Sequence, residues 1–286
     1  MSNSIPIEQH QDETAAQILE YVNSGEGNWV KGWNDMAHGG PQHPKGPFTR
    51  NNALHLTMVR LARGYSSRHF FTSKQATAAG CPLDWAASKG RHLTVWAPII
   101  RKDKDTNKER FSGYRAYRVY NGDLCQGWAD PVVEPKVLGD PSADAMTLAS
   151  VWGGYSEGGN RAAYSPSADR VMMPPRDSFK SLAEWTGTIL HEKVHQSGHR
   201  TRLERDGICN PITFGNHRYA VEEIIAESGA AFVMASLGLL QETGENHGAY
   251  LRSWLKEAGN KPADLLAGMG EGLKAAAYLM KAAGLS

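Results

Sequence analysis

The sequence predicts an α+β chain of two domains, a small mixed α/β domain followed by a mostly helical one. Three observations predict it. The chain has 286 residues, long enough for two domains of ordinary size. Strand and short-helix signals alternate up to about residue 121, and after a stretch rich in Pro, Gly and charge the pattern turns helical. The charge changes across the same stretch: residues 28–130 hold 16 Lys and Arg against 7 Asp and Glu, a net of +9, whereas residues 131–286 hold 15 against 18, a net of −3. The boundaries that follow are a first domain over 1–130, a linker over 131–144 and a second domain over 145–286.

Taken in order, residues 10–22 carry Ile18, Leu19 and Val22 as the apolar positions of a helix, which "SGEGNW" breaks. Residues 38–51 are dense in Gly and Pro and read as loop. In "NALHLTMVRLARGY" Leu54, Met58 and Leu61 fall at i, i+4 and i+7, which is a helix closed by Gly64. "RHFFTS" is a short strand and "KQATAAG" a short helix ending at Gly80. Strands follow at 92–100 and 114–121, with the charged stretch 101–113 between them read as loop. In the second domain "AAYSPSADRVMMP" reads as turn and strand. Helices follow at about 178–199, 218–239, 246–258 and 261–283.

Composition is that of a globular protein, 41% hydrophobic and 21% charged. No run approaches the roughly 18 apolar residues of a membrane span. The polar, acidic start lacks the basic-then-apolar plan of a secretory signal. Cys81, Cys125 and Cys209 are far apart with no CxxC pair, which argues against a disulfide framework or a thiolate metal site and fits a reducing compartment. The expected location is the cytoplasm.

Chemistry concentrates in "ILHEKVHQSGH", 189–199. His191 and His195 stand four apart, so on a helix both imidazoles leave one face and reach one Zn²⁺. Glu192 then lies beside the metal as the group that polarises water and shuttles its proton. A third His six residues after His195 would make the pattern a metzincin one, but that position is Thr201. His199 is one turn further along the same face and falls behind the ligand pair. The better third ligand is on the next helix, "YAVEEIIAESGAAFVMA", where Glu223 and Glu227 are four apart. One carboxylate there can bind the metal while the other hydrogen-bonds a ligand histidine from behind. Glutamates on a helix usually form a solvated face, but these sit among Ile224, Ile225, Ala226 and Ala230. The spacing looks like the gluzincin arrangement, which makes Glu223 the ligand and Glu227 the supporting carboxylate. Two His and one Glu accept zinc, manganese or another divalent ion.

The basic segment interleaves cations with aromatic residues, the composition that single-stranded nucleic acid needs: charges for the backbone, π-faces for the bases. Lys31, Arg50, Lys89 and Arg91 are the phosphate-facing candidates, with Trp33 and Lys74 among the interleaved set. In "YRAYRVY" Tyr114 and Tyr120 share one strand face with Arg118, and Tyr117 the other with Arg115 and Val119. Val95, Trp96 and Tyr120 are expected to be core.

Together "WVKGWNDM", "PFTRNNALHL", "FFTSKQATAAG", "SKGRHLTVW", "YRVYNGDLCQG", "DRVMMPPRDSF", "LHEKVHQSGHRTRLERD" and "YAVEEIIAESGAAF" resemble ArdC-type antirestriction proteins, which are related to the N-terminal region of TraC-type primases. The resemblance runs over roughly 15–240. It implies a single-stranded-DNA-binding domain followed by a zincin-like metallopeptidase domain, and protection of incoming plasmid or phage DNA from host restriction. It implies a role for Asn52 at a helix start and for Lys89 and Gly90, although the family's second Glu-Lys-Gly is replaced here by Arg91-His92-Leu93. His191, Glu192, His195 and Glu223 fall on its metal-site motif. Three functions remain in view: a DNA-binding antirestriction protein, a zinc-dependent endopeptidase targeted to DNA and acting on the restriction machinery, and a DNA-binding protein braced by structural zinc.

Overall fold

The computed structural model describes residues 28–37, 39–102, 108–131, 139–210, 217–240 and 262–285, with isolated residues at 13, 14, 16, 20, 253, 256 and 257. The expected helices at 10–22 and 246–258 lie largely outside the described residues. The chain divides into two compact units. Helix α1 (Asn28–Ala37) belongs to the second, not to the basic first unit as its position in the chain suggested.

The first unit, residues 39–134 in the main, begins with a small ladder of β1 (Gln42–His43) and β2 (Gly46–Pro47) inside the expected loop. Helix α2 (Arg50–Ala62) lays Leu56 and Val59 on a three-stranded antiparallel sheet of order β3-β5-β4, with β3 Phe70–Phe71, β4 Leu93–Lys102 and β5 Glu109–Asn121. Leu56, Val59, Phe70, Leu93, Val95 and Val119 form its core. Trp96 and Tyr120 point to the other face and are half-buried; there Tyr120 packs on a second cluster of Phe71, Ala76, Cys81, Leu83 and Cys125. Helix α3 (Ser73–Ala78) starts at a capping box between Thr72 and Gln75, and α4 (Trp85–Ser88) is capped by Asp84. Of the stretch expected as loop over 101–113, residues 101, 102 and 109–113 are strand, and 103–107 lie outside the described residues. The strand residues there run past the core with water on both faces, so no burial selects an alternating pattern.

In the second unit α5 (Pro141–Ser150) begins inside the expected linker, with Asp140 accepting from Ser142 N at 2.9 Å and Pro141 opening the helix. Then comes a sheet of order β6-β8-β7, with β6 (Tyr155–Glu157) parallel and β7 (Ala163–Ser165) antiparallel to β8 (Arg170–Met173). Helices α6 (Leu182–Ser197), α7 (Asp206–Cys209), α8 (His217–Ser236) and α9 (Pro262–Ala282) complete it. The helices meet where side chains are absent. A Cβ on Gly272 of α9 would stand 2.8 Å from Ile225 O and 2.9 Å from Gly229 N, both backbone atoms of α8. A Cβ on Gly229 would meet Val194 of α6 at 2.9 Å. Trp33 of α1 is fully buried and stands edge-on to Phe232 of α8, with ring centroids 6.3 Å apart.

Gly272→Ala therefore forces α9 away from the backbone of α8. Chemical unfolding should show a loss of about 1–3 kcal/mol, despite the better helix propensity of Ala. Unchanged stability would contradict this close packing.

Candidate metal centre

Helix α6 is fixed at its start by Ser181, whose Oγ accepts Glu184 N–H at 3.1 Å, while the Glu184 carboxylate accepts Lys180 N–H at 2.7 Å. Three turns on, His191 and His195 face α8. His191 Nε2 lies 3.1 Å from His195 Nε2 and 3.2 Å from Glu223 Oε2, and His195 Nε2 lies 3.6 Å from Glu223 Oε1. Ligand atoms about 2.0–2.1 Å from one tetrahedral centre stand roughly 3.3 Å apart. The three side chains thus fit a divalent cation in both spacing and donor chemistry, and among the described residues they are the one group so placed.

The far side of each imidazole is also held. His191 Nδ1 meets Glu227 Oε1 at 3.2 Å, and His195 Nδ1 meets Glu222 Oε1 at 3.2 Å. A carboxylate on Nδ1 orients the ring and raises its basicity at Nε2. Glu222 is in turn gripped by buried Arg205, Nη2 to Oε1 at 2.6 Å and Nε to Oε2 at 3.1 Å. The same guanidinium donates to Val194 O at 2.7 Å and Ser197 Oγ at 2.8 Å, tying the end of α6 to α8. A Cβ on Gly198 would stand 2.8 Å from Arg205 Cζ, so that position is glycine for want of room.

Sequence reasoning gave Glu222 no role and missed Arg205. It also missed Lys193 and Gln196, on the back of α6. Lys193 is fully buried, and Nζ donates to Val151 O at 2.7 Å, Gly154 O at 2.8 Å and Gln196 Oε1 at 2.9 Å. Gln196 Nε2 donates to Asp169 O at 3.0 Å. The pair fastens two turns, at Trp152 and Asp169, whose φ values of 52° and 48° are positive. The signal was there in the form of polar residues on the side of the helix away from the histidines.

His199 differs from expectation. Helix α6 has ended, and the ring bonds Thr201 Oγ1 at 2.9 Å instead of supporting a ligand. It lines a cleft of about 710 Å³ together with Tyr164, His191, Glu192, His195 and Tyr219. Tyr219, one turn before Glu223, donates its hydroxyl to that carboxylate, and burial with the nearby Glu223 and Glu192 pushes the phenol up.

The candidates for nucleic-acid contact fall in different places. Lys31 and Trp33 stand on α1 in the second unit, where Trp33 is core; the side chains of Lys31 and Arg50 lie outside the described residues. Asn52 holds β4 to α2: its Nδ2 donates to Trp96 O at 2.8 Å and its Oδ1 accepts Trp96 N–H at 3.2 Å. That occupies the outer edge of an edge strand. Lys74, Lys89 and Arg91 are exposed on the first unit.

An uncharacterized protein of Sinorhizobium fredii, y4eC, is 33% identical to this chain over 72% of it and 68% of its own length. Residues 142–266 match the family model of a zincin-like metallopeptidase, and residues 8–121 that of the N-terminal domain of anti-restriction factor ArdC. The chain belongs to the ArdC-type antirestriction family. Crystal structures of the antirestriction ArdC protein from plasmid R388 are similar along nearly the whole chain, both at 28% identity. The Mn(II)-bound form has a TM-score of 0.70 and covers 98% of each chain; the metal-free form has 0.65, covering 96% of this chain and 97% of that one. Two Escherichia coli proteins named DNA primase TraC are 29% and 27% identical over 97% and 89% of this chain, which spans only 20% and 25% of their lengths. Among the described residues no helix is long and apolar enough to cross a membrane.

Burial pushes both site imidazoles down, but the surrounding acids outweigh it. Glu227 and Glu223 hold His191 well above the ordinary value, and Glu222 and Glu223 raise His195 to about 9. With His195 raised to about 9, a cation binding near neutrality must displace a proton from the metal-free site. Apparent metal affinity should therefore fall as pH drops below about 9, by up to roughly tenfold per pH unit for that proton. Calorimetry at pH 7 in buffers of different ionisation heat should show at least one proton released. An affinity that is flat across this range would contradict the coupling.

Proposed function

We propose that the protein is a cytoplasmic antirestriction protein that binds single-stranded DNA through its first unit and holds Zn²⁺ or Mn²⁺ at His191, His195 and Glu223 in its second. The observation that supports the DNA reading most directly is the segregation of charge. Even without α1, residues 39–134 carry 15 Lys and Arg against 7 Asp and Glu, an excess that favours a polyanion. Exposed Lys74, Lys89 and Arg91 contribute to it. Protein held on a single strand would delay its conversion to the duplex that duplex-dependent nucleases require, which is how such binding would protect DNA as it enters a cell.

The cleft favours a second reading, a metallopeptidase acting on restriction machinery. Glu192 is nearly buried and lines the cleft beside the ligand set. A bound cation would supply Lewis acidity to a carbonyl there. Glu192 would take a proton from water and return it to the leaving amine, and Tyr219 would hold Glu223 in place.

One experiment separates the readings: protection of transferred DNA against a restricting host, with binding to a labelled oligonucleotide measured alongside. Changing Lys74, Lys89 and Arg91 together to Ala should weaken single-strand binding about tenfold, lower its salt slope by roughly 2, and reduce protection. Glu192→Gln should bind DNA and protect as wild type does. Loss of protection in Glu192→Gln, with folding and DNA binding intact, would make the protein a protease first.

A further inference from the structure

The β4–β5 hairpin extends beyond its core and exposes large apolar side chains where a free-standing ribbon would ordinarily be polar. Ile100 is 50% exposed, Phe111 54% and Tyr114 53%. Their grouping depends on an irregularity in the ladder. Pro98 pairs with Tyr114, but Ile100 pairs with Phe111, so Ser112 and Gly113 together oppose the single residue Ile99. Tyr114 and Phe111 are three apart and would point to opposite faces of a regular strand. The extra residue brings them to one face, with ring centroids 5.1 Å apart. Gly113, at φ 109°, takes a backbone conformation that side chains disfavour.

That face is the one away from Leu93, Val95 and Val119. In register it carries Tyr120, Arg118, Ala116, Tyr114 and Phe111 on β5, and Thr94, Trp96, Pro98 and Ile100 on β4. At its base Trp85, 65% exposed, stands edge-on to Tyr120 with centroids 6.3 Å apart, and His92 lies 6.2 Å from the same ring. From Tyr120 to Phe111 the row spans about 30 Å at strand rise. The described strands carry Arg101, Lys102, Arg110, Arg115 and Arg118 against one acid, Glu109. Exposed aromatics in a cationic frame suit a partner that is both polyanionic and flat-faced. A protein partner satisfied by apolar contact alone would not call for the charge.

We propose that this outer hairpin face is the nucleobase-stacking platform for single-stranded DNA, with Tyr114 and Phe111 stacking bases and Arg118, Lys89 and Arg91 contacting phosphates. The assignment rests on the DNA-binding reading above and names the surface that performs it. Because every base has a π-face, the platform is indifferent to sequence and requires only that bases be unpaired.

The test is fluorescence anisotropy of the full-length protein with three labelled ligands: a mixed-sequence single strand, the same backbone made abasic, and the corresponding duplex. Phe111→Ala with Tyr114→Ala removes only exposed side chains. The pair should weaken single-strand binding by at least about tenfold while leaving the weaker abasic and duplex binding unchanged. Phe111→Trp with Tyr114→Trp should restore it. Equal binding of the single strand by wild type and the double Ala variant would overturn the platform while leaving DNA binding in place. A wild type that binds none of the ligands would overturn the DNA reading itself. Loss of abasic and single-strand binding in equal measure would overturn base stacking in favour of charge alone.

Discussion

Two imidazoles on α6 and three carboxylates on α8, all but the half-buried His191 withdrawn from water, set the terms for the second unit. Titratable groups taken out of water are costly unless each finds a partner. Here each does. Glu223 faces both Nε2 atoms, Glu227 and Glu222 each hold one Nδ1, and Arg205 neutralises Glu222 while securing the end of α6. The pairing demands that α6 and α8 pass close together, and that demand explains the glycines. Gly229 leaves room for Val194, and Gly272 lets α9 press on the back of α8. Lys193 and Gln196 complete the frame from the opposite side of α6 by fixing the turns that carry the small sheet.

The first unit is built around a different constraint. Its sheet is covered near the base only, by Leu56, Val59 and their neighbours on one face and by the cluster around Phe71 on the other, and the hairpin outgrows both. An exposed ribbon with an open edge invites association, and the structure limits it: Asn52 closes the outer edge of β4 at Trp96, and arginines flank the strands. Beyond its edges, the hairpin presents an open face. A face offers stacking without offering backbone hydrogen bonds, which suits a ligand that is not a strand.

How much of this could be read from the sequence depended on how local the information was. The histidine spacing and the Glu223–Glu227 spacing are local, since one helical turn decides which side chains share a face. They pointed to the same side chains that the fold brings together. The two-domain α+β architecture was legible in the change of periodicity and charge. Glu222 was not, because it lies about 100° around the helix from Glu223 and acquires a role only once α6 crosses α8 and Arg205 reaches in. Trp33 was misplaced for a similar reason: it opens the segment whose later residues are basic, but its partner in space, Phe232, lies 199 residues away. The outer hairpin looked like loop because water on both faces erases the alternation that marks a strand. The bulge that aligns Phe111 with Tyr114 left no trace beyond a glycine.

That His191, His195 and Glu223 together hold one divalent cation is tested by titrating the metal-free protein with Mn²⁺, followed by electron paramagnetic resonance, for wild type and Glu223→Gln. Glutamine keeps the shape of the side chain and removes its charge. A single high-affinity site that weakens by at least about a hundredfold in the variant is the predicted result. Equal affinity in both proteins would mean that the metal sits elsewhere and that the buried carboxylates serve only to brace two helices.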